Sequence, residues 1–522
     1  MAMIDPLLTA PLLTPAEMNA WDREAARLGL KTELLMENAS REALHALAEK
    51  LDGVRGKSVL CLAGPGNNGG DAVALARHLH DAGAEVVLGL ARPSGAHKGA
   101  PGFHLRLARR AGVVVLRAAQ ALEEAKAQPP DAVVDGLLGT GLSGDPRPDT
   151  AALIDAVNRL GQRSFVLALD IPSGLCGLTG RPGSPTVIAD ATVSFETAKL
   201  GLALPQASPY VGELLVRPIG IPRAVREALP PAHRLLAPEL ALMLPLPDPA
   251  MHKGAAGRLL VLGGSPGLTG APFLSALGAL RCGAGLVTAA CPRGLEPVLK
   301  AGCPDVMTLP LGEGEQWDAS MAAPIREHLE AWDALVIGPG LGRTPGAARF
   351  LEALLQGGPL PPAVWDADAL FWLAAHPRRL ERSVITPHPG EAARMLGLAI
   401  PEIESDRAGC VRRLAESTGA AVVLKGPASL ICQGGDPSGS VYVSPFAEPN
   451  LAVGGSGDVL SGVAGSLLAR GVSPLLAACL GVYWHGLAGR LVSGEFPYRG
   501  NLASEIVQAL PRALTEWLDA ES

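Results

Sequence analysis

Two stretches of the 522-residue chain set acidic or amide side chains inside glycine-rich turns, at spacings that can do chemistry. "GPGNNGGD" (Gly64–Asp71) follows the apolar run "SVLCLA" and precedes the helical pattern "AVALARHLHDAG". Its glycines at 64, 66 and 69 fit the G-x-G-x-x-G spacing that lets backbone N–H groups at a helix N-terminus hold a pyrophosphate. A bare phosphate loop, however, has no use for the side chains of Asn67, Asn68 and Asp71. The next strand also ends "GLARPSG", without the acid that would hold a ribose. The second stretch, "NLAVGGSGDVLSG" (Asn450–Gly462), places Gly454, Gly455 and Gly457 around the start of a helix that carries Asp458. Backbone N–H groups of such a turn form an anion hole for phosphoryl oxygens, and Asp458 beside it can take the proton of an attacking hydroxyl. The alternative for Asp458 is a simple helix N-cap.

Further motifs stand where open α/β sheets bind ligands, at the carboxyl ends of strands. In "DGLLGTGLSGD" (Asp135–Asp145) and "LDIPSG" (Leu169–Gly174), the oxygens of Asp135 and Ser173 can converge with that of Asn68. One carboxylate among neutral oxygens favours a monovalent cation over a dedicated Mg2+ cage. Asp170, followed by Ile171 and the rigid Pro172, is placed like an acid/base. Asn and Asp are also ordinary turn residues, which is the competing reading of all three motifs. In the second half, Lys425 and Gly426 end "AAVVLKG", where they suit nucleotide phosphate or ribose, or merely leave a solvated lysine. Asp366 and Asp368 of "VWDADAL" read equally well as loop or capping residues. His388 of "TPHPGE", between two prolines, is either a ligand contact or a rigid turn histidine.

The elements that must position these residues follow from patterning. A helical pattern from Leu12 to Lys50 opens with Thr14, Pro15 and Glu17 at capping-box spacing. Seven β-rich runs then alternate with helical stretches as far as "ELLVRPIG", which predicts a mostly parallel sheet covered on both faces. Residues 222–249 hold seven prolines with weak periodicity and read as a connector. The alternation restarts with "RLLVLGG" and runs to "SVYVSP", so two α/β domains are expected. Leu259–Leu280 lacks charge for long enough to span a membrane, but its "GGSPGLTGAP" centre reads as strand, loop and helix. With 48% hydrophobic residues, 18% charged residues and a net charge of −7, the chain has large cores and no basic footprint for nucleic acid. Eight dispersed cysteines without a C-x-x-C point to reduced thiols in a cytoplasm, and the N-terminus lacks the basic start of a signal peptide.

"GPGNNGGD", "DGLLGTGL" and "LDIPSG", in that order, resemble the epimerase domain of NAD(P)H-hydrate repair enzymes over about Leu12–Ile221. The resemblance implies a potassium ion held by Asn68, Asp135 and Ser173. It further implies dinucleotide contacts from Asn67, Asn68, Gly69, Gly70 and Asp71, from Gly139, Thr140, Gly141, Leu142, Ser143, Gly144 and Asp145, and from Asp170. Ala72 departs from the family's frequent glycine and restricts the start of that helix. "TPHPGE" with "GGSGDVLSG" resembles the ribokinase-like superfamily, and within it the ADP/ATP-dependent NAD(P)H-hydrate dehydratases, over about Leu235–Leu518. That implies substrate contacts from Ala271, Gly340, His388 and Asp458. Contacts to ADP or ATP, with accompanying Mg2+, would come from Lys425, Gly426, Pro427, Ala428, Ser429 and Gly457.

The expected architecture is α/β throughout, a Rossmann-like doubly wound domain (1–221), the connector (222–249) and a ribokinase-like domain (250–522). The expected activity is repair of hydrated NADH and NADPH. The first domain would epimerise R and S hydrates at C6 with Asp170, and the second would dehydrate the S form through phosphorylation of the 6-hydroxyl with Asp458. The rivals are a small-molecule kinase with a regulatory first half, and a first half that only senses dinucleotide. Small-molecule partners, a homo-oligomer, no nucleic acid and no membrane complete the expectation.

Overall fold

The computed structural model describes residues 8–519 except 143, 246 and 437, and divides into two compact units, Pro11–His233 and a second built of the N-terminal residues through Ala10 with Arg234–Ser522. In the first unit, seven strands are all parallel: β1 (Ser58–Ala63), β2 (Glu85–Leu90), β3 (Val114–Arg117), β4 (Ala132–Gly136), β5 (Phe165–Leu169), β6 (Ala191–Phe195) and β7 (Glu213–Arg217). Their order is β3-β2-β1-β4-β5-β6-β7, so the chain reverses direction across the sheet between β1 and β4. Alternation sends Val59, Cys61 and Ala63 into one core and Leu60 and Leu62 into another on the opposite face. Every apolar run expected to be a strand in this half is one. At the switch point Leu62 pairs with Asp135, which pairs in turn with Ala168, bringing the ends of β1, β4 and β5 side by side.

The N-terminal helical pattern divides into Pro15–Arg27 and Thr32–Leu51. Thr14 accepts from the Glu17 N–H at 3.2 Å, and Glu17 accepts from the Thr14 N–H at 2.7 Å, as the capping-box spacing predicts. Leu12 and Leu13, expected in the helix, instead end a strand (Thr9–Leu13) that runs parallel to Ala198–Lys199. The cap at Thr14, itself extended, starts the helix after these two residues, which pair instead with Ala198 and Lys199.

The second unit contains β8 (Arg258–Leu262), β9 (Leu286–Pro292), β10 (Met307–Leu311), β11 (Ala334–Ile337), β12 (Ala363–Trp365), β13 (Ser383–Ile385), β14 (Ala421–Leu424), β15 (Leu430–Gln433) and β16 (Val441–Val443). They lie in the order β10-β9-β8-β11-β12-β13-β14-β15-β16, parallel as far as β14 and antiparallel from there to β16. β10, which the patterning passed over, carries Pro310 and sits at the end of this series, where a missing N–H is tolerated. The uncharged run from Leu259 resolves into β8, a loop and helix Gly270–Arg281, as its central turn chemistry requires. Helix Pro474–Glu495 is long and apolar enough to cross a membrane, but 83% of its most apolar window is buried within the fold.

The proline-rich stretch 222–249 does not run free between the units. Val225 joins the core of the first, and Trp21 Nε1 donates to the Leu229 carbonyl at 2.8 Å. Leu236, Leu240, Ala241 and Leu244 enter the core of the second, where Trp517 Nε1 donates to the Pro238 carbonyl at 2.7 Å. The division between units falls at His233 and Arg234, inside the expected connector. Prolines weaken helical periodicity without preventing burial, which is why the stretch resembles a linker in sequence.

Candidate active sites

In the first unit, close backbone approach explains the glycines of "GPGNNGGD" better than phosphate binding does. A Cβ on Gly69 would lie 1.8 Å from the Gly64 carbonyl oxygen, and one on Gly64 would lie 2.0 Å from that of Leu137. The loop is thus laid directly on the loop after β4. Helix Asn67–Asp81 begins here, and Ala72 is buried against Gly136, where a second methyl would stand 2.6 Å away. The extra methyl of Ala72 is accommodated by a glycine opposite.

This packing gathers Asn68, Asp135 and Ser173. Ser173 donates its hydroxyl to Asp135 Oδ1 at 2.6 Å and its N–H to Oδ2 at 2.8 Å. The Leu138 N–H donates to Ser173 Oγ at 2.8 Å, and Asn68 Nδ2 donates to the Leu138 carbonyl at 2.6 Å. Asp135 and Ser173 are fully buried, and Asn68 Oδ1 is buried with no hydrogen-bonding partner. Burial raises the Asp135 carboxyl, against the opposing pull of Ser173 and the Leu137 N–H. An unpartnered buried oxygen beside an uncompensated carboxylate is what a cation would relieve.

Next to this cluster opens a cavity of about 670 Å3. Asn67, Asn68, Gly69, Asp71, Gly139, Thr140, Gly141, Leu142, Asp145 and Asp170 all line it. Gly70 instead faces the Met36 side chain, while Gly144 adopts a left-handed turn with φ +78° outside the lining set. Ser143 lies outside the described residues. Asp170 holds φ +60°, a costly conformation for a residue with a Cβ, and it aims the carboxylate off the end of β5. Its Oδ1 accepts from the Phe195 N–H at 3.2 Å and from the ammonium of Lys199. Lys199 is only 1% exposed, and its Nζ also donates to Ser194 Oγ and the Phe195 carbonyl at 3.2 and 3.0 Å. The carboxyl groups of Asp22, Asp71, Asp145 and Asp170 thus line the cavity together with the Lys199 ammonium. Burial, reinforced by Asp170 and Asp22, pushes Asp71 far above the usual carboxylate range.

In the second unit, the loops after β8 and β11 meet at the switch in strand order. Gly340, at φ +60°, lies against Leu268 and Ala271, so these two expected contact residues are neighbours. Gly338 makes room for the Asp366 carbonyl, which a Cβ would approach to 1.9 Å. Asp366, at the end of β12, is 1% exposed and accepts from Lys425 Nζ at 2.7 Å and Ser461 Oγ at 2.6 Å. Lys425 is thus ion-paired rather than merely solvated. Its Nζ reaches into the glycine turn, 3.2 Å from where a Cβ on Gly457 would stand and 4.0 Å from Glu391 Oε2. Asp368 ties the "GPGLG" loop down, accepting from the Gly342 N–H at 2.9 Å and from Arg343 at 2.7 Å. The loop reading thus fits Asp368, whereas Asp366 is the buried counter-ion of Lys425.

His388 caps helix Pro389–Leu396: its Nδ1 accepts from the Gly390 N–H at 3.0 Å, and Glu391 bonds back to the His388 N–H at 2.8 Å. Burial and then the Lys425 charge lower its pKa, which preserves the neutral ring that such acceptance needs. Asp458 lies in the first turn of helix Ser456–Ala469, behind Gly455 in left-handed conformation at φ +93°. Burial and then the Asp366 charge push its carboxyl up to about 7 despite Lys425. Burial likewise pushes Glu391 up to about 7, whereas Lys425, Ser461 and Thr386 outweigh burial at Asp366 and hold it low. Beyond Lys425, Ala428 takes φ +49°, Ser429 Oγ donates to the Gly426 carbonyl at 3.0 Å, and Arg407 donates to the Pro427 carbonyl at 2.7 Å. Gly426 to Ser429 thus form a braced turn directly after Lys425.

Each unit matches its own family model: residues 32–201 that of the YjeF-related protein N-terminus, and residues 259–512 that of NAD(P)H-hydrate dehydratase. Across both, the chain is 38% identical over 517 residues to the bifunctional NAD(P)H-hydrate repair enzyme of Moorella thermoacetica, covering 96% of each. The chain belongs to the bifunctional NAD(P)H-hydrate repair enzymes. It is 37% identical to the repair enzyme of Escherichia coli, covering 94% of this chain and 91% of that one. Among solved structures, it is similar to an ADP/ATP-dependent NAD(P)H-hydrate dehydratase from Bacillus subtilis co-crystallized with ATP/Mg2+. That likeness has 29% identity and a TM-score of 0.47, over 53% of this chain and 96% of that one. A repair enzyme of this family joins an epimerase-like and a dehydratase unit, which is the main sequence reading and excludes the regulated small-molecule kinase. Patterning missed Lys199 and Asp22 in the lining of the first cavity and the pairing of Asp366 with Lys425. "AKLGL" carries no local signal, since Lys199 acquires its role from the Asp170 carboxylate at the end of another strand.

Proposed function

We propose that the first unit interconverts the R and S hydrates of NADH and NADPH at C6, and that the second phosphorylates the 6-hydroxyl of the S hydrate, whose phosphate then leaves to restore the dihydronicotinamide. The observation that carries this reading is the placement of Asp458 in the first turn of a helix behind a left-handed glycine, beside the Lys425 ammonium, where burial raises its carboxyl to about 7. There it takes the proton of the 6-hydroxyl as the oxygen attacks the terminal phosphorus of ADP or ATP. The N–H groups of the Gly455–Gly457 turn and Lys425 stabilise the charge on the transferring phosphoryl group. Gly340, Ala271 and His388 frame the hydrated ring, and Gly426–Ser429 with Gly457 take the nucleotide. Mg2+ would accompany the nucleotide phosphates, as a small hard cation that keeps several waters and binds through phosphate oxygens.

In the first unit, Asp170 handles the proton of the C6 hydroxyl, oriented by Lys199 and its left-handed backbone. A potassium ion fits Asn68 Oδ1, Asp135 and Ser173, where it would supply the positive charge that the buried Asp135 lacks. The loops of Gly139–Leu142, Asp145, Asn67 and Asp71 receive the dinucleotide. Incubating the protein with hydrated NADH plus ADP or ATP should release free phosphate and restore the dihydronicotinamide absorption band. Accumulation of a stable phosphorylated dinucleotide would overturn the dehydration scheme.

A further inference from the structure

The helix Pro15–Arg27 precedes the stretch 32–201 that matches the YjeF-related N-terminus, yet it forms part of the wall of the first unit's cavity through Met18, Asn19 and Asp22. Its position is not incidental. Leu13 pairs in register with Lys199, and the Thr14 cap then starts the helix immediately beyond that pairing. Trp21, 1% exposed, anchors the outer face through its bond to the Leu229 carbonyl. The carboxyl of Asp22 consequently feels the same two groups that define the end of β5, Lys199 and Asp170.

We propose that Asp22 is the second proton-transfer group of the epimerase site, working opposite Asp170 on the two faces of C6. This rests on the epimerase reading above. Inversion at C6 of the hydrate requires the C6–O bond to break while the ring N1 lone pair forms an N1=C6 bond. The departing hydroxyl needs a proton, and Asp22 in its acid form gives it, releasing water. A second water then adds to the opposite face, forming the new C6–O bond as N1=C6 collapses back to a single bond, and its proton passes to the Asp170 carboxylate. One proton has moved from Asp22 to Asp170, and the reverse turnover or exchange with solvent restores it.

The electrostatics of the cavity suit the two carboxyls to these unlike roles. Lys199 spends its hydrogen bonds on Asp170, Ser194 and backbone carbonyls, which holds the Asp170 carboxylate in place as the acceptor. Among the described residues none donates a hydrogen bond to the Asp22 carboxyl, and burial is the largest influence on it, opposed by Lys199 and reinforced by Asp170, so that its pKa rises to about 6. Burial also raises Asp71, and Asp170 and Asp22 reinforce that rise.

The test uses the full chain with purified R or S hydrate of NADH and no nucleotide, following interconversion by chromatography. For Asp22→Asn, the interconversion kcat should fall on the order of 10²–10⁴-fold, with KM within about threefold of wild type. Asp22→Glu should recover a substantial part of the loss. The limb of the wild-type pH profile near 6 should be absent from the residual activity of Asp22→Asn and present in Asp22→Glu. A merely structural role would weaken binding and kcat together, leave the limb in place, and so overturn the assignment. Interconversion by Asp22→Asn at the wild-type rate would also overturn it. A wild-type chain that interconverts nothing would instead overturn the epimerase reading itself.

Discussion

Asp458 works in a field set by one ammonium and several carboxylates, and that field makes its behaviour predictable. As the acceptor of the hydroxyl proton it must be ionised, and burial has moved its ionisation up to about 7. Dehydration of the S hydrate at saturating nucleotide should therefore rise as pH increases through about 7 and level off above it. Asp458→Asn should lower kcat on the order of 10²–10⁴-fold and remove that limb, while epimerisation and nucleotide binding persist. Lys425→Met should remove the counter-ion of the buried Asp366, which typically costs about 3–5 kcal/mol, visible as an earlier unfolding transition on chemical denaturation. In the first unit, Asp135→Ala should weaken epimerisation more than Asn68→Ala, since only Asp135 brings a formal charge to the cation. Replacing potassium by a bulky organic cation at equal ionic strength should mimic both, and equal consumption of R and S epimers by the Asp135 variant would refute the cation site. The motif residues were legible because glycine, Asn and Asp at strand ends mark turns and ligands in any fold. Lys199 and Asp366 were not, because each acquires its function from a partner distant in sequence.

At the scale of elements, the anion hole depends on how closely two helices approach. Gly462 of helix Ser456–Ala469 lies against helix Gly270–Arg281, where a Cβ would come within 2.0 Å of the Ser275 carbonyl oxygen. Ser275 Oγ, in turn, donates to the Asp458 carbonyl at 2.8 Å. Gly462→Ala should force the helices apart at a cost of roughly 1–3 kcal/mol and displace the first turn, slowing dehydration although the methyl is remote from the reacting atoms. An unchanged kcat in a destabilised Gly462→Ala protein would separate stability from positioning. "GGSGDVLSG" is readable as a glycine turn from sequence, but that its last glycine serves helix packing depends on the neighbouring helix.

For the whole molecule, the boundary at His233 and Arg234 changes where the chain can be divided. A piece ending at His233 should retain epimerisation, and one beginning at Arg234 should retain dehydration. A piece beginning at Ala250 should melt several degrees lower, because Leu236, Leu240 and Leu244 each leave the core at about 1.5–3 kcal/mol per fully buried side chain. Equal melting temperatures for the two C-terminal pieces would show that residues 234–249 contribute nothing to that core.

The strands of both sheets, apart from a few short or proline-bearing ones, and the active-site loops were written in local pattern: β-rich runs, capping residues, and glycines beside acids. Local pattern suffices there because backbone geometry and turn chemistry are decided by residues a few positions apart. Local pattern is therefore enough for the α/β class and for the glycine-rich loops that end the strands. Only the tertiary structure decided that Lys199 is spent on Asp170, that Asp366 neutralises Lys425, that Asp22 enters a cavity, and that a proline-rich stretch belongs to two cores. Each of these depends on burial and on the Coulomb field inside it, quantities that exist only once distant segments have excluded water together.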